Sequence, residues 1–394
     1  MKSRKSTNLA PWNLPKVVAQ LRESATYCNT QSGSFFLAFV SGTVLLSFVP
    51  IGRTVKLPGS DVLLKFNGLV TAVVILAFLI GLELRGLDSL TAIYNNIDRL
   101  FFLSLLTNLF MSFALYWRGK KYPSDPNPFA TTGRFLPDFV AAYIRSVVFI
   151  LVINVALLFK NVTLPVVESS SGAPIGELIK GSVKNLVFIV QHSQYNCASL
   201  VVSGLLVLYA LDLLIFEHHL ATSFQFNSEG TGAELLLRFA TFPFLLSFLP
   251  RFLFIQKLNV NYYLLGAVTI VFILGLSLKR CSNCLKYEYR MKPSDAKFRD
   301  LVTIPTFQNH RIIASRMYSK VRLPNLLGEI VLHLALLVPL VVKFSGVSFI
   351  GIVFIVAYLI YRSVVINKRN AKKYESSWLK YTATVKYNLL PRVY

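Results

Sequence analysis

A basic, proline-broken segment from Asn283 to Glu329 lies between two long apolar runs. It begins Asn283-Cys284-Leu285-Lys286-Tyr287-Glu288-Tyr289-Arg290 and continues through Pro293-Ser294-Asp295. It closes on Arg322-Leu323-Pro324-Asn325-Leu326-Leu327-Gly328-Glu329. Cationic side chains on a bent backbone beside a membrane span offer a docking place for a polyanionic ligand. Against this stands a plainer role, as cations facing an anionic lipid surface and contributing about 1 kcal/mol each.

A second set of groups lies in or beside the apolar runs: Arg145, Asp212, Glu217, His218, His219, Glu234, Arg238, Glu329 and His333. A charge at the bilayer centre costs roughly 2.5–3.5 kcal/mol on insertion scales, so such residues face a bundle interior or a wet cavity. Asp212, deep in its run, and Glu217, just past its end, are the candidate pocket acids, fit for a ligand hydroxyl or a proton relay. The competing role is snorkelling and helix-to-helix pairing, and Arg238 and His219 are assigned to it. His218 and His219 are adjacent and point about 100° apart on a helix, whereas metal-binding pairs stand three or four residues apart. Cys281 and Cys284 form a lone pair without a second pair or a histidine at zinc spacing. No metal site is expected. Cysteines at 28, 197, 281 and 284 make no disulfide framework and are expected as reduced thiols facing the cytosol. Glycine-rich phosphate loops, dinucleotide fingerprints and Ser-His-Asp arrangements are not apparent. A nucleotide would have to be held by the membrane-embedded C-terminal half.

The elements that position these groups are membrane helices. The 394 residues are 54% hydrophobic and only 15% charged, against about 25% charged in soluble domains. A net charge of +23 is spread over short segments that flank the apolar runs, among them Arg118, Lys120 and Lys121, and Lys368, Arg369, Lys372 and Lys373. That distribution fits the positive-inside bias and attraction to anionic headgroups, whereas nucleic-acid binding concentrates charge in one patch. The arm before residue 30 is too short for a folded chromatin-reading module, so no direct nucleic-acid domain is expected. No signal peptide follows the first basic residues, and the first span is expected to direct insertion.

A span needs about 20 mostly apolar residues. Runs that qualify are Ser34 to Pro50, Phe66 to Leu84, Arg99 to Trp117, Phe139 to Phe159 and Ala198 to Phe216. Leu235 to Ile255, Tyr262 to Leu278, Leu326 to Val342 and Val347 to Val365 complete nine, and a shorter run, Leu186 to Val190, is a re-entrant or interfacial tenth. The fold class is therefore an all-α, polytopic transmembrane bundle of about 10 spans. Its expected divisions are a basic arm (1–33), N-terminal membrane helices (34–278), a cytosolic basic insert (279–325), C-terminal membrane helices (326–367) and a basic cytosolic tail (368–394). Basic residues at both ends place both in the cytosol, which the Arg118 to Lys121 cluster contradicts under simple alternation. Asn161-Val162-Thr163 is a glycosylation sequon that requires a lumenal loop.

From about residue 133 onward the landmarks resemble the sterol reductase family, which includes lamin B receptor and sterol C14-reductases. Asn283-x-x-Lys286-x-x-Tyr289-Arg290 is similar to the family's Asn-x-x-Lys-x-x-Phe-Arg, with Pro293-Ser294-Asp295 following at the expected distance. Arg322-Leu323-Pro324-Asn325-Leu326 stands where the family has Arg-His-Pro-Asn-Tyr. Tyr209 to Asp212 with Glu217, and the ending Trp378-x-Lys380-Tyr381 through Pro391-Arg392-Val393-Tyr394, echo further family blocks. The resemblance implies NADPH-type positions at Lys286, Arg290, Arg322, Asn325 and Arg362, where arginine meets phosphate as a planar fork and lysine as a point charge.

The departures are chemical. Two tryptophan positions of the family read Arg316 or Met317 and Tyr318, its His and Tyr read Leu323 and Leu326, and of His-Arg-Glu-Ala-Arg-Asp only Arg362 survives within Tyr361 to Ile366. Reducing a sterol double bond takes a hydride at one carbon and a proton at the other. Loss of a positioned proton donor alone costs about 10²–10⁴-fold. The expectation is a membrane protein of the endoplasmic reticulum or inner nuclear membrane, without reductase activity and without a cofactor, acting as a scaffold or lipid binder. Its partners would be membrane lipids, sterol, and lamin or chromatin-associated proteins. The alternative is an active NADPH-dependent sterol double-bond reductase.

Overall fold

A computed structural model describes residues 30–57, 63–121, 136–161, 196–224, 233–258, 260–307, 311–341 and 346–391. Ten helices cover them. In chain order they are α1 (Thr30–Ser47), α2 (Gly68–Leu84), α3 (Ser89–Asn95), α4 (Ile97–Lys121), α5 (Leu136–Asn161) and α6 (Cys197–Ile215). α7 (Ala233–Ile255), α8 (Tyr262–Met291), α9 (Pro324–Leu337) and α10 (Gly346–Thr384) follow. Each of the nine apolar runs coincides with a helix. Six helices among the described residues are long and apolar enough to cross a membrane alone, or seven if the pair α2 and α3, bent by 104°, counts as one. The tenth run, Leu186 to Val190, lies outside the described residues.

Apolar runs become helices in lipid because the backbone has no other hydrogen-bond partners there. Local signals fix their ends. Asn196 and Asn261 cap α6 and α8 by accepting from Ser199 N–H and Tyr263 N–H, each at 2.9 Å, and Pro324 opens α9 where no N–H is needed. The Asn161 amide is 2% exposed and is engaged on both sides by the Asn196 backbone, at 3.0 and 3.3 Å. A glycan has no room at this sequon.

α5 forms the axis of the bundle, with 78% of its apolar window buried, and α4 the rim, with 17%. Phe78, Phe110, Phe113, Ile270 and Leu274 stay exposed on the outer faces of α2, α4 and α8, the pattern of a lipid-facing wall. Two short antiparallel hairpins supplement the helices. β1 (Arg53–Lys56) pairs with β2 (Leu63–Phe66), and β3 (Thr303–Pro305) with β4 (Arg311–Ile313).

The start of the basic insert and the start of the tail both fall inside helices, while the end of the insert meets the start of α9 at Pro324. α8 runs on past residue 279 to Met291, and α10 past 367 to Thr384, with a kink at Glu375 where φ is 44°. The outer half of α8 packs through Leu285 and Tyr289 on Phe298, Ile313 and Tyr318. The outer half of α10 packs through Trp378 and Tyr381 on Ala314, Ile304 and Ile312.

α8 and α9 run antiparallel and meet backbone to backbone. A Cβ on Gly275 would lie 2.8 Å from Gly328 O, and one on Gly328 would lie 2.5 Å from Lys279 N. Only glycine permits so close a crossing. Gly328→Ala is expected to cost about 1–3 kcal/mol as overpacking and to lower the thermal unfolding midpoint of the detergent-purified protein. Gly204→Ala on α6, with nothing within 4 Å, is the control and should leave the midpoint unchanged or slightly higher. Equal midpoints for the two variants would rule out the tight crossing.

Candidate ligand-binding site

Along α8 the residues Lys279, Asn283, Lys286 and Arg290 recur at spacings of four, three and four, so they share one face. That face, about 16 Å long at 1.5 Å per residue, lines a cavity of about 330 Å³. α9 contributes Asn325, Leu326, Glu329 and His333, and α10 contributes Leu359, Arg362, Ile366, Asn370 and Lys373. Val147 and Ile150 of α5, Leu213 of α6, and Phe239, Phe242 and Leu246 of α7 give it apolar walls. The size and the mixed lining suit a small-molecule site. Nine lining side chains are lysine or arginine, and Glu329 is the one carboxylate among the described lining residues.

The inner end is a web of buried charge. Lys279 Nζ lies 3.1 Å from Glu329 Oε1 and 4.0 Å from Asp212 Oδ2, and 4.4 Å from the centre of the Tyr209 ring. Tyr209 OH donates to the same Glu329 Oε1 at 3.1 Å. Arg280 grips Asp212 with two nitrogens: Nε donates to Oδ1 at 2.8 Å and Nη2 to Oδ2. It also stacks on Phe216, 3.8 Å from the ring centre, and lies 3.2 Å from His219 Nδ1. This pairing offsets part of the cost of burying the charges.

The outer end is more cationic and differently occupied. Arg290 donates to Thr222 O at 2.6 Å. Arg322 donates to Asn367 Oδ1 at 2.9 Å and to Lys386 O at 2.6 Å, while its own N–H meets Tyr387 O at 3.0 Å. It therefore ties the chain's end to the mouth of the cavity. Tyr318 OH donates to Ser282 O at 3.1 Å and Tyr381 OH to Tyr318 O at 3.3 Å. Lys286 is half-buried and feels the like charges of Arg290 and Lys373.

The five NADPH-type positions, Lys286, Arg290, Arg322, Asn325 and Arg362, all line this one cavity. The two candidate acids do not. Asp212 stands behind the wall in its ion pair. Glu217 points the other way, accepting from Gly68 N–H at 2.9 and 3.0 Å. The groups that do face the inner end, Tyr209, Lys279, Glu329 and His333, were legible only as scattered polar residues. The helical stripe 279-283-286-290 was the signal available for Lys279. Leu323, Leu326 and Ile366, at positions where polar or aromatic groups were expected, also line the cavity.

These features define a polytopic helical membrane protein with a cation-rich cavity between its C-terminal helices. The chain belongs to the ergosterol biosynthesis ERG4/ERG24 family, whose profile matches residues 182–394. It is 39% identical over 201 residues to the lamin-B receptor of Drosophila melanogaster, covering 51% of this chain and 27% of that one. It is 26% identical over 219 residues to a Delta(14)-sterol reductase of Mus musculus, covering 53% and 51%. A Delta(14)-sterol reductase of Schizosaccharomyces pombe is 26% identical over 187 residues, covering 47% and 44%. The chain thus spans about half of the two reductases and about a quarter of the Drosophila protein.

Beside the cavity, burial pushes the Glu217 carboxyl up to about 7, against the pull of the Gly68 and Leu69 N–H groups. Burial, then the charges of Arg53 and Arg280, holds His218 down at about 4, and burial with His218 and Arg280 holds His219 at about 3. The signs are opposite. A raised carboxyl keeps its proton in the folded state, so its contribution is full below pH 4.5 and is lost as pH rises through 7. Depressed histidines contribute fully above pH 6.5, and the contribution is lost as pH falls toward 4 and 3. Glu217→Gln removes the first effect alone. Its stability relative to the parent should rise between pH 4.5 and 7, by up to about 3 kcal/mol at 1.4 kcal/mol per unit. Thermal unfolding across that range tests it, and a gap that does not change with pH refutes the assignment.

Proposed function

We propose that this chain is a membrane protein of the endoplasmic reticulum or inner nuclear envelope that binds lipid, sterol above all, in the cavity and serves as a scaffold without reducing its ligand. One observation carries this reading. The cavity retains its cations at Lys286 and Arg290, but Leu323, Leu326 and Ile366 face it where a reductase would want donors and acids. Lys286, Arg290 and Lys373 suit the phosphates of a dinucleotide, which would supply hydride when bound. At the aliphatic positions nothing orients its reactive ring or offers a proton. The likeness to a lamin-B receptor supports lamin or chromatin-associated partners as the scaffold's clients.

A second reading, an NADPH-dependent sterol reductase, is favoured by the hydrogen-bonded Tyr209, Glu329 and Lys279 at the inner end. Tyr209 and Lys279 are buried proton-bearing groups there, and Glu329 accepts from Tyr209. Purified protein incubated with NADPH and a sterol carrying the C14 double bond separates the two. We expect no reduced sterol above the protein-free blank, and sterol binding that survives Lys286→Ala with Arg290→Ala within about twofold. Product that disappears in the double variant would establish the reductase.

A further inference from the structure

Lys286 differs from the other cations of the cavity. Arg290 and Arg322 are held by backbone carbonyls and Lys279 lies 3.1 Å from Glu329 Oε1, but no carboxylate pairs with Lys286 among the described residues. It stands about two turns of α8 beyond Leu278, where the apolar run ends. Arg290 of its own helix and Lys373 of α10 face it, and Arg311 of β4 and Arg322 line the same cavity. Glu329, the one carboxylate among the described lining residues, sits with Lys279 about two turns back along α8. The phenols of Tyr289, Tyr318, Tyr374 and Tyr381 complete the lining here. Burial, then the like charges of Arg290 and Lys373, holds the Lys286 ammonium well below the usual lysine range. A lysine so placed offers a free lone pair to the cavity.

We infer that Lys286 is a nucleophile that captures long-chain aldehydes reversibly, as an imine, inside the cavity. Its nitrogen lone pair attacks the carbonyl carbon. Both amine protons then leave with the carbonyl oxygen as water, and a C=N bond replaces the C=O bond. No further reactant enters the balance. The cations that strip the ammonium of its proton also keep the imine nitrogen unprotonated, because both would add a like charge to the cluster. Phe242, Leu359 and Ile366, on the apolar walls of the same cavity, suit the hydrocarbon chain. A carboxylate beside Lys286 would hold the amine charged and inert; the cluster of cations does the reverse. The inference does not depend on whether the cavity takes sterol.

The test uses the full chain in phosphatidylcholine nanodiscs, whose lipids carry no primary amine. Dodecanal is added with cyanoborohydride, which fixes the imine by adding hydride to its carbon, and peptide mass spectrometry reads the alkylation rate of each lysine. Lys297, half-exposed and 2.7 Å from Glu288, and the exposed Lys320 are internal standards. Near neutral pH Lys286 is expected to react about tenfold faster than either, or more, since each unit of pKa is tenfold in neutral amine. Its rate should level off near neutrality while theirs keeps rising into alkali. Lys373→Met removes one like charge and should move the Lys286 profile toward higher pH. A Lys286 rate no greater than that of the standards, or one that climbs with pH in parallel with theirs, overturns the inference. That comparison is made on the parent protein, so it holds whether or not the variant folds. Sterol binding is measured separately, and failure here leaves the lipid-binding reading in place.

Discussion

The glycine-on-glycine crossing of α8 and α9 sets the geometry of everything around it. With Gly275 and Gly328 in contact, the two backbones come closer than the usual interaxial distance of about 8–10 Å. Lys279 and Glu329, each next to the crossing, are then brought to 3.1 Å. Bulkier residues would part the helices and leave both ions in an apolar interior without partners. From this point the α8 face opens outward through Asn283, Lys286 and Arg290 into the cavity.

Electrostatics divides that cavity into two regions. Inside, every cation is matched: Lys279 and Arg280 share Asp212 and Glu329, with aromatic rings of Tyr209 and Phe216 against them. At the mouth the arginines bind backbone instead. Arg290 holds the segment after α6 and Arg322 holds the segment after α10. A cation that staples two parts of the chain and a cation that receives a phosphate compete for the same side chain, so any anionic ligand at the mouth is coupled to the position of the C-terminal segment. The last turns of α10, which lead into that segment, are anchored by Trp378 and Tyr381 against the β3–β4 hairpin.

The resemblance read from spaced motifs picked out residues that share one space, for Lys286, Arg290, Arg322, Asn325 and Arg362 come from three helices and a loop yet line one cavity. It did not locate the acid. Asp212 and Glu217 stand out in sequence as carboxylates at the end of an apolar run, but Arg280 claims the first and the N–H groups that open α2 claim the second. Glu329 looked ordinary beside them and is the carboxylate that faces the ligand space.

Sequence alone determined that this chain is a helical membrane protein, where nine of its helices lie, and which family it belongs to. Lipid leaves an apolar run no backbone conformation but the helix, and spaced motifs survive without any knowledge of contacts. Only the tertiary structure decided which polar groups meet. Partners such as Tyr209 and Glu329 lie 120 residues apart, and whether a buried charge faces a ligand or a neighbour depends on helix rotation and crossing distance. Those are set by packing between helices, which no single apolar run encodes.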